Sequence, residues 1–303
     1  MAPDAYAWWY LDALSDDGRH ALTVIAFIGS VFSPYYAAAR RRGPTDPRQH
    51  VAINVALYGD GVRRWTMTER GARQLQCGPE HLSIGPSALQ WRDGALELTL
   101  DEVAAPWPQR VRGQLRLVPR CRNDEVLQLD AAGAHRWQPI APRARVTLAL
   151  QEPALRWSGE GYLDANWGDA PLEQAFDHWH WSRTPLGQGA CLARYELQAR
   201  DGSQRRLALH FGRDGALSPV EAADPPALLS LPRSRWGLDR QTRGPARLLS
   251  TLEDGPFYAR SLLATQWQGQ ARQTMHESLS LLRFRQRWVQ ALLPFRMPRR
   301  APG

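Results

Sequence analysis

The stretch Tyr162-Leu163-Asp164-Ala165-Asn166-Trp167 puts a phenol, a carboxyl group and a carboxamide at every second position. In an extended strand these three side chains share one face, because side chains alternate with period two. A carboxyl group on such a face, if buried among apolar neighbours, stays protonated and becomes a strong proton donor. The same aspartate, standing before Ala-Asn-Trp-Gly, also reads as a turn or capping residue. His135-Arg136-Trp137 sets an imidazole and an indole on one face, although a lone histidine and a tryptophan equally serve packing. The tetrapeptide Tyr-Leu-Asp-Ala recurs at Tyr10 to Ala13, beside Trp8 and Trp9. Asp12 is therefore a rival acid, or a structural hydrogen-bonding group on the opening strand. His178-x-His180 is the one metal-like spacing. Further ligands would have to come from His210, His276 or scattered carboxylates with no recognisable spacing. An aromatic, polar strand is the preferred reading there, and no metal site is expected.

These groups need strands to position them, and the turn chemistry supplies them. Asp-Gly occurs at residues 17–18, 60–61, 93–94, 201–202, 214–215 and 254–255. It suits hairpin turns, because both residues tolerate positive φ. Strand-like runs flank most of these turns: Trp8 to Leu14 against Leu22 to Phe27, and Val51 to Tyr58 against Val62 to Thr68. Leu89 to Trp91 faces Leu96 to Leu100, Cys191 to Leu197 faces Leu207 to Phe211, and Leu248 to Leu252 faces Phe257 to Thr265. Helical periodicity is scarce before the C-terminus. The pattern predicts an all-β protein of antiparallel barrels or sandwiches. One barrel takes roughly 150 residues at these spacings, so two in tandem fit 303 residues. The second half restarts as the first does, with His178-Trp179-His180-Trp181 echoing Trp8-Trp9-Tyr10. The division is expected in the polar stretch around Gly168 to Pro171, giving units of residues 1–172 and 173–303.

Composition narrows the classes further. With 43% hydrophobic residues the chain builds real cores and is not a disordered protein. All 38 basic residues are arginine, which reflects coding bias better than nucleic-acid binding. The net charge of +8 still favours anionic surfaces. The arginines are spread and partly balanced by 30 acidic residues, so no nucleic-acid partner is expected. Cys77, Cys121 and Cys191 form no CxxC pair and leave an odd thiol, which argues against a disulfide framework. No charged-then-apolar signal peptide opens the chain. The longest apolar run, Ala21 to Phe32, is too short to span a bilayer as a helix. The reading is of a soluble or peripheral protein.

Five segments then read together: WWYLDALSDDG (8–18), IAFIGSVFSPYYAAARRRG (25–43), HVAINVALYG (50–59), MTERG (67–71) and GYLDANWGDAPLE (161–173). They closely resemble the carotenoid 1,2-hydratases of photosynthetic bacteria. The resemblance runs from about residue 6 to about residue 185 and thins beyond residue 190. It implies tandem lipocalin-like β-barrels and hydration of the terminal C1=C2 bond of lycopene, neurosporene or similar acyclic carotenoids. The product would be a tertiary alcohol, formed without a cofactor. Such a reaction needs a strong acid to protonate C2, stabilisation of the cation at C1, and a positioned water.

By this resemblance Asp164 is the expected proton donor and Tyr162 its close neighbour. His135 is the expected water-orienting base or partner of Asp164, and Trp137 a wall of the cation site, since aromatic faces attract cations. Trp167, Asn166, Trp8, Trp9, Tyr10 and Asp12 complete the expected site as substrate contacts. A non-catalytic carotenoid- or lipid-binding protein of the same fold is the alternative, and product mass separates the two.

Carotenoids reside in bilayers, which implies peripheral association with the cytoplasmic side of the inner, photosynthetic membrane. Phe284, Trp288, Leu292 and Phe295 lie at helix-like spacing near Arg283, Arg285, Arg287 and Arg296. They predict a short C-terminal amphipathic helix, lying either in the headgroup region or against the barrel. The loop Phe32 to Gly43, with Arg40-Arg41-Arg42, is a second candidate membrane contact.

Overall fold

The computed structural model describes residues 1–220 and 227–300. Strands dominate among them, and the chain divides into two compact units. The first holds Met1–Gln128, Ala134–Pro171 and the segment from Ala291 onward; the second holds Leu129–Gly133 and Leu172–Gln290.

The first unit contains β1 (Tyr6–Ser15), β2 (His20–Ile28), helix α1 (Pro34–Arg40), β3 (Val51–Gly59), β4 (Arg64–Met67), β5 (Leu75–Gly78) and β6 (His81–Ile84). It continues with β7 (Ser87–Arg92), β8 (Ala95–Val103), β9 (Arg110–Pro119), β10 (Leu127–Gln128), β11 (His135–Glu152) and β12 (Leu155–Gly168). The strands form one sheet in the order β4-β3-β2-β1-β12-β11-β9-β8-β7-β6-β5, with β10 added beside β11. Leu11, Val24, Val55, Leu98, Leu115, Val146 and Leu163, drawn from strands along the whole path, meet in a single apolar cluster. The sheet therefore curls into a half-barrel around that cluster, with β4 and β5 as its end strands. Arg70 ties this curl. Its backbone pairs with Val51, while its guanidinium reaches Glu102 on β8, which also accepts from Ser87 on β7. Burial pushes the Glu102 carboxyl up, and the charge and hydrogen bond of Arg70 oppose that shift.

The second unit contains helix α2 (Leu172–Ala175), β13 (Phe176–Pro185), β14 (Cys191–Ala199), β15 (Gln204–Phe211), β16 (Leu217–Pro219), β17 (Leu228–Leu231) and β18 (Arg240–Arg243). Then follow β19 (Ala246–Asp254), β20 (Tyr258–Trp267), β21 (Gln270–Ser280), helix α3 (Leu281–Phe284) and helix α4 (Arg287–Leu292), whose last two residues belong to the first unit. The main sheet runs β16-β15-β14-β13-β21-β20-β19, and β17-β18 is a separate ribbon. In both units the opening strand lies between its hairpin partner and the closing strand: β2-β1-β12 in one, β14-β13-β21 in the other. Every Asp-Gly pair falls between consecutive antiparallel strands. Only at Asp93-Gly94 are both φ angles positive, as a type I′ turn requires.

The C-terminal segment forms the short helix that its spacing predicts, with interruptions on both sides. It breaks into α3, α4 and a 3₁₀ turn over Leu293–Phe295, which Pro294 opens. Phe284 is buried, together with Val289, Leu293 and Met297, whereas Trp288 (45% exposed), Leu292 (40%) and Phe295 (67%) face outward. Beyond the turn, Arg299 pairs with Glu69 and Arg296 stacks over Trp65. In α1, Tyr36 is buried and donates to the Ala5 carbonyl, so this tyrosine of the second candidate contact is structural. No helix among the described residues is long and apolar enough to cross a membrane.

His180 of β13 and His276 of β21 are held by protein. His180 Nδ1 hydrogen-bonds Ser278 Oγ at 3.0 Å, and its ring stacks on His276 at 6.1 Å. His276 donates through Nε2 to the Gln241 carbonyl at 2.8 Å. No three His, Cys, Asp or Glu side chains among the described residues converge as metal ligands. Burial lowers His180 to about 3 and His276 to about 4. Both imidazoles are thus neutral in the fold but titrate near 6.5 once unfolded. The unfolded chain binds more protons below about pH 6.5, so stability falls with pH down to the folded values. Urea unfolding should show stability undiminished at pH 7 and progressively lost from about pH 6.5 toward pH 4. Replacing His276 with Asn should flatten that slope.

Candidate active site

β1, β12 and β11 lie side by side, and their register decides which side chains meet. Against β12, Trp8 faces Asn166, Tyr10 faces Asp164 and Asp12 faces Tyr162. On the other side of β12, Trp137 of β11 faces Asn166, and His135 faces Gly168. Period-two alternation puts Tyr6, Trp8, Tyr10, Asp12, Tyr162, Asp164, Asn166, His135 and Trp137 on one face of the sheet. Leu11, Ala13, Ala141 and Leu163 point the other way, into the apolar cluster. Both faces are buried here. Asp164 retains 2% exposure, while Asp12, Trp137 and Tyr162 have none.

Asp164 is gripped on a single oxygen. Its Oδ2 accepts from Trp137 Nε1 and from Tyr162 Oη, each at 2.8 Å. Indole nitrogen is only a donor, so the direction of that bond is set. With Oδ2 receiving two donors, any proton that the carboxyl carries belongs to Oδ1. Along the same face Tyr10 Oη donates to Asp12 Oδ2 at 3.0 Å, and the Tyr10 and Tyr162 rings meet edge to face at 6.3 Å. At the other end, Tyr6 Oη and His135 Nδ1 are 2.8 Å apart. Tyr6 also stacks on Trp8 at 5.1 Å.

Gly168 makes the Tyr6–His135 contact possible. It lies between them in the register, and a Cβ there would sit 2.6 Å from Tyr6 Cε1 and 2.7 Å from His135 Nδ1.

Several sequence expectations change in this geometry. Asp164 does not point into the apolar core of the half-barrel; it occupies the opposite, aromatic and polar face. Trp9 and Trp167 occupy odd positions and project from the other side of the sheet, Trp9 against the apolar cluster. His135, the expected water-orienting base or partner of Asp164, has its Nδ1 on Tyr6 Oη. The backbone opposite it, Gly168, is four residues or about 13 Å along the strand from Asp164. Trp137 is more than a wall, since its N–H holds the acid. Sequence reasoning passed over Tyr6, although the run Tyr6, Trp8, Tyr10, Asp12 alternates as plainly as Tyr162, Asp164, Asn166.

Residues 24–302 match the family model of the carotenoid hydratase CrtC. The chain belongs to the carotenoid hydratase family. An acyclic carotenoid 1,2-hydratase of Thiocapsa roseopersicina is 52% identical over 304 aligned residues, 99% of this chain and 74% of that one. The enzyme of that name from Rubrivivax gelatinosus is 44% identical, covering 99% of this chain and 75% of its own. A crystal structure described as AttH, from Nitrosomonas europaea, is similar with a TM-score of 0.61 at 14% identity. It covers 91% of this chain and 92% of that one, a likeness that shows a shared lipocalin-like fold.

For this carotenoid hydratase family member, the constellation offers one buried carboxyl held by two donors, a second carboxyl beside it, and a row of aromatic rings. Gly168→Ala tests how closely the row is fitted. The added methyl should force Tyr6 and His135 apart and cost about 1–3 kcal/mol by overpacking. Thermal melting should reveal the loss, and near-UV circular dichroism a changed tyrosine environment.

Proposed function

We propose that this chain adds water across the terminal C1=C2 bond of an acyclic carotenoid such as lycopene or neurosporene, giving the 1-hydroxy derivative. The reading rests on one observation above all: in a carotenoid hydratase, a fully enclosed carboxyl group has one oxygen occupied by Trp137 and Tyr162. An alkene is a very weak base. A carboxylic acid kept neutral is a far better donor to it than water or, at neutral pH, histidine. The two hydrogen bonds to Oδ2 orient the acid so that Oδ1–H meets C2. Protonation there leaves a tertiary cation at C1, and the rings of Trp8, Tyr10 and Trp137 are the faces able to attract it, by about 2 kcal/mol or more when desolvated. Water then bonds to C1 and gives up one proton, leaving the tertiary alcohol. Addition of water leaves the oxidation level of the molecule unchanged, so the proposed chemistry calls on no redox cofactor. Asn166, between Trp8 and Trp137, helps to hold the chain end. His135, anchored by Tyr6, closes the far end of the row.

The substrate's home in the bilayer gives the outward-facing Trp288 a purpose. Its ring stacks on exposed Trp236 at 6.2 Å, and Leu292 follows one helical turn later. Arg283 donates to the Trp236 carbonyl at the edge of this patch. An interfacial helix with aromatic and basic residues inserts at the headgroup level. We assign peripheral membrane docking to it, on the cytoplasmic side.

Two experiments test these assignments. Asp164→Asn keeps size and polarity but removes the acidic proton; hydration of lycopene in detergent, followed by product mass, should fall by about 10²- to 10⁴-fold. Trp137→Phe keeps a ring face but loses the N–H. Asp164 becomes ionised as it gives up its proton, and a hydrogen bond to a charged group is worth about 1.5–3 kcal/mol, so activity should drop roughly 10- to 100-fold, and Trp137→Ala should drop further. A folded Asp164→Asn working within several-fold of the parent would defeat the acid assignment and favour a non-catalytic carotenoid binder or another acid. For the membrane, the double change Trp288→Ser and Leu292→Ser should weaken sedimentation with anionic liposomes while leaving the melting temperature near that of the parent. Unchanged liposome binding rejects the patch.

A further inference from the structure

The tetrapeptide Tyr-Leu-Asp-Ala occurs twice, and the antiparallel register sets its two copies head to tail. Tyr10 lies opposite Asp164, and Tyr162 lies opposite Asp12. Each tyrosine donates to the aspartate two residues on in its own strand, at 2.8 Å for Asp164 and 3.0 Å for Asp12. The outcome is a local two-fold arrangement with two buried carboxyl groups on one face. They are diagonal neighbours, so their backbones are about 7–8 Å apart. On the far side of Asp12, across β2, stands Thr23. It is fully buried, and its Oγ1 has no hydrogen-bond partner among the described residues. Buried hydroxyls are normally paired. A water lodged between Thr23 and Asp12 would pair it.

Adding water to an alkene needs two proton positions: a donor to carbon, and an acceptor for the proton that the attacking water sheds. Inverting glycosidases meet the same need with two carboxyl groups about 6.5–9.5 Å apart, leaving room for the water. We infer that Asp12 is the general base of this site, an assignment that rests on Asp164 being the acid. With Thr23, its carboxylate holds the attacking water and takes its proton.

The Asp164 O–H bond breaks as the C2–H bond forms, and the electron pair of the alkene makes that bond, leaving C1 positive. The water oxygen then bonds to C1 as one of its O–H bonds breaks, and that proton passes to Asp12. Asp164 ends ionised and Asp12 neutral. Return of that proton from Asp12 to Asp164 restores the starting state. The cycle closes with substrate and water consumed and nothing else. Asp12 is thereby a catalytic residue, where the motif alone left it a rival acid or a structural group.

The test compares Asp12→Asn, Asp12→Ala, Asp164→Asn, Asp164→Ala and the parent on lycopene in detergent, each checked for folding by thermal melting. Asp12→Asn should fold, because its amide oxygen still accepts from Tyr10, and should lose about 10²- to 10⁴-fold in turnover. Added formate, ionised at neutral pH and so a base, should restore part of the activity of Asp12→Ala but none to Asp164→Ala. A folded Asp12→Asn within ten-fold of the parent overturns the assignment, as does a folded Asp12→Ala that formate leaves unaided. Failure of both Asp12 variants to fold makes the residue structural and overturns it as well. If the parent itself forms no hydrated product, it is the underlying function that falls, and an active Asp164→Asn removes the acid instead.

Discussion

Trp137 can donate to Asp164 only while β11 keeps its register against β12, and most of the site hangs on that pairing. β11 reaches the register through irregularities between Gln138 and Ala141 and between Ala141 and Ala144. A slip of one residue would turn every side chain of the strand to the other face. Trp137 would then enter the apolar cluster, and Asp164 would lose one of its two donors. The same pairing sets His135 opposite Gly168, where the absent side chain admits Tyr6. One ladder of backbone hydrogen bonds therefore orients the acid and fixes the far end of the aromatic row.

A sheet with one face solvated could not hold such a group. Here β1 and β12 are buried on both faces, one lined by aliphatic side chains and the other by aromatic and polar ones. Burying a polar group without a partner costs several kcal/mol in the least favourable case. The second face offsets that cost by pairing its groups internally: Tyr162 and Trp137 with Asp164, Tyr10 with Asp12, Tyr6 with His135. Such a network is stiff, because loss of any member strands another in low dielectric. Stiffness suits the proposed role of aiming one proton at one carbon, where a misplacement of about 1 Å can cost as much as 10²-fold in rate.

The second unit repeats the strand order around its opening strand but fills the equivalent region differently. His180, His276 and Ser278 are joined to one another or to backbone, and the imidazoles are neutral by burial. Its polar interior carries two histidines kept neutral, where the first unit's holds two buried carboxyl groups, the proposed site of the chemistry. The likeness of topology and the difference of side chains illustrate that function resides in the site and not in the fold.

Much of this was readable from residues alone. Asp-Gly pairs between alternating runs named the hairpins, because the turn chemistry is local and tolerates few substitutes. The ungapped motifs around residues 8–18 and 161–173 carried the family, and the alternation at Tyr162, Asp164 and Asn166 carried their common face. What depends on strands far apart in the chain was beyond that reading. Nothing local says that β12 closes against β1, more than 140 residues away, or that Asp12 and Asp164 become diagonal neighbours. Nor does alternation say which of two buried faces is the apolar core, since both exclude water; hence Trp9 and Trp167, grouped with the site by sequence, project from the other face. Period two assigns residues to a face, but only the pairing of distant strands decides what each face meets.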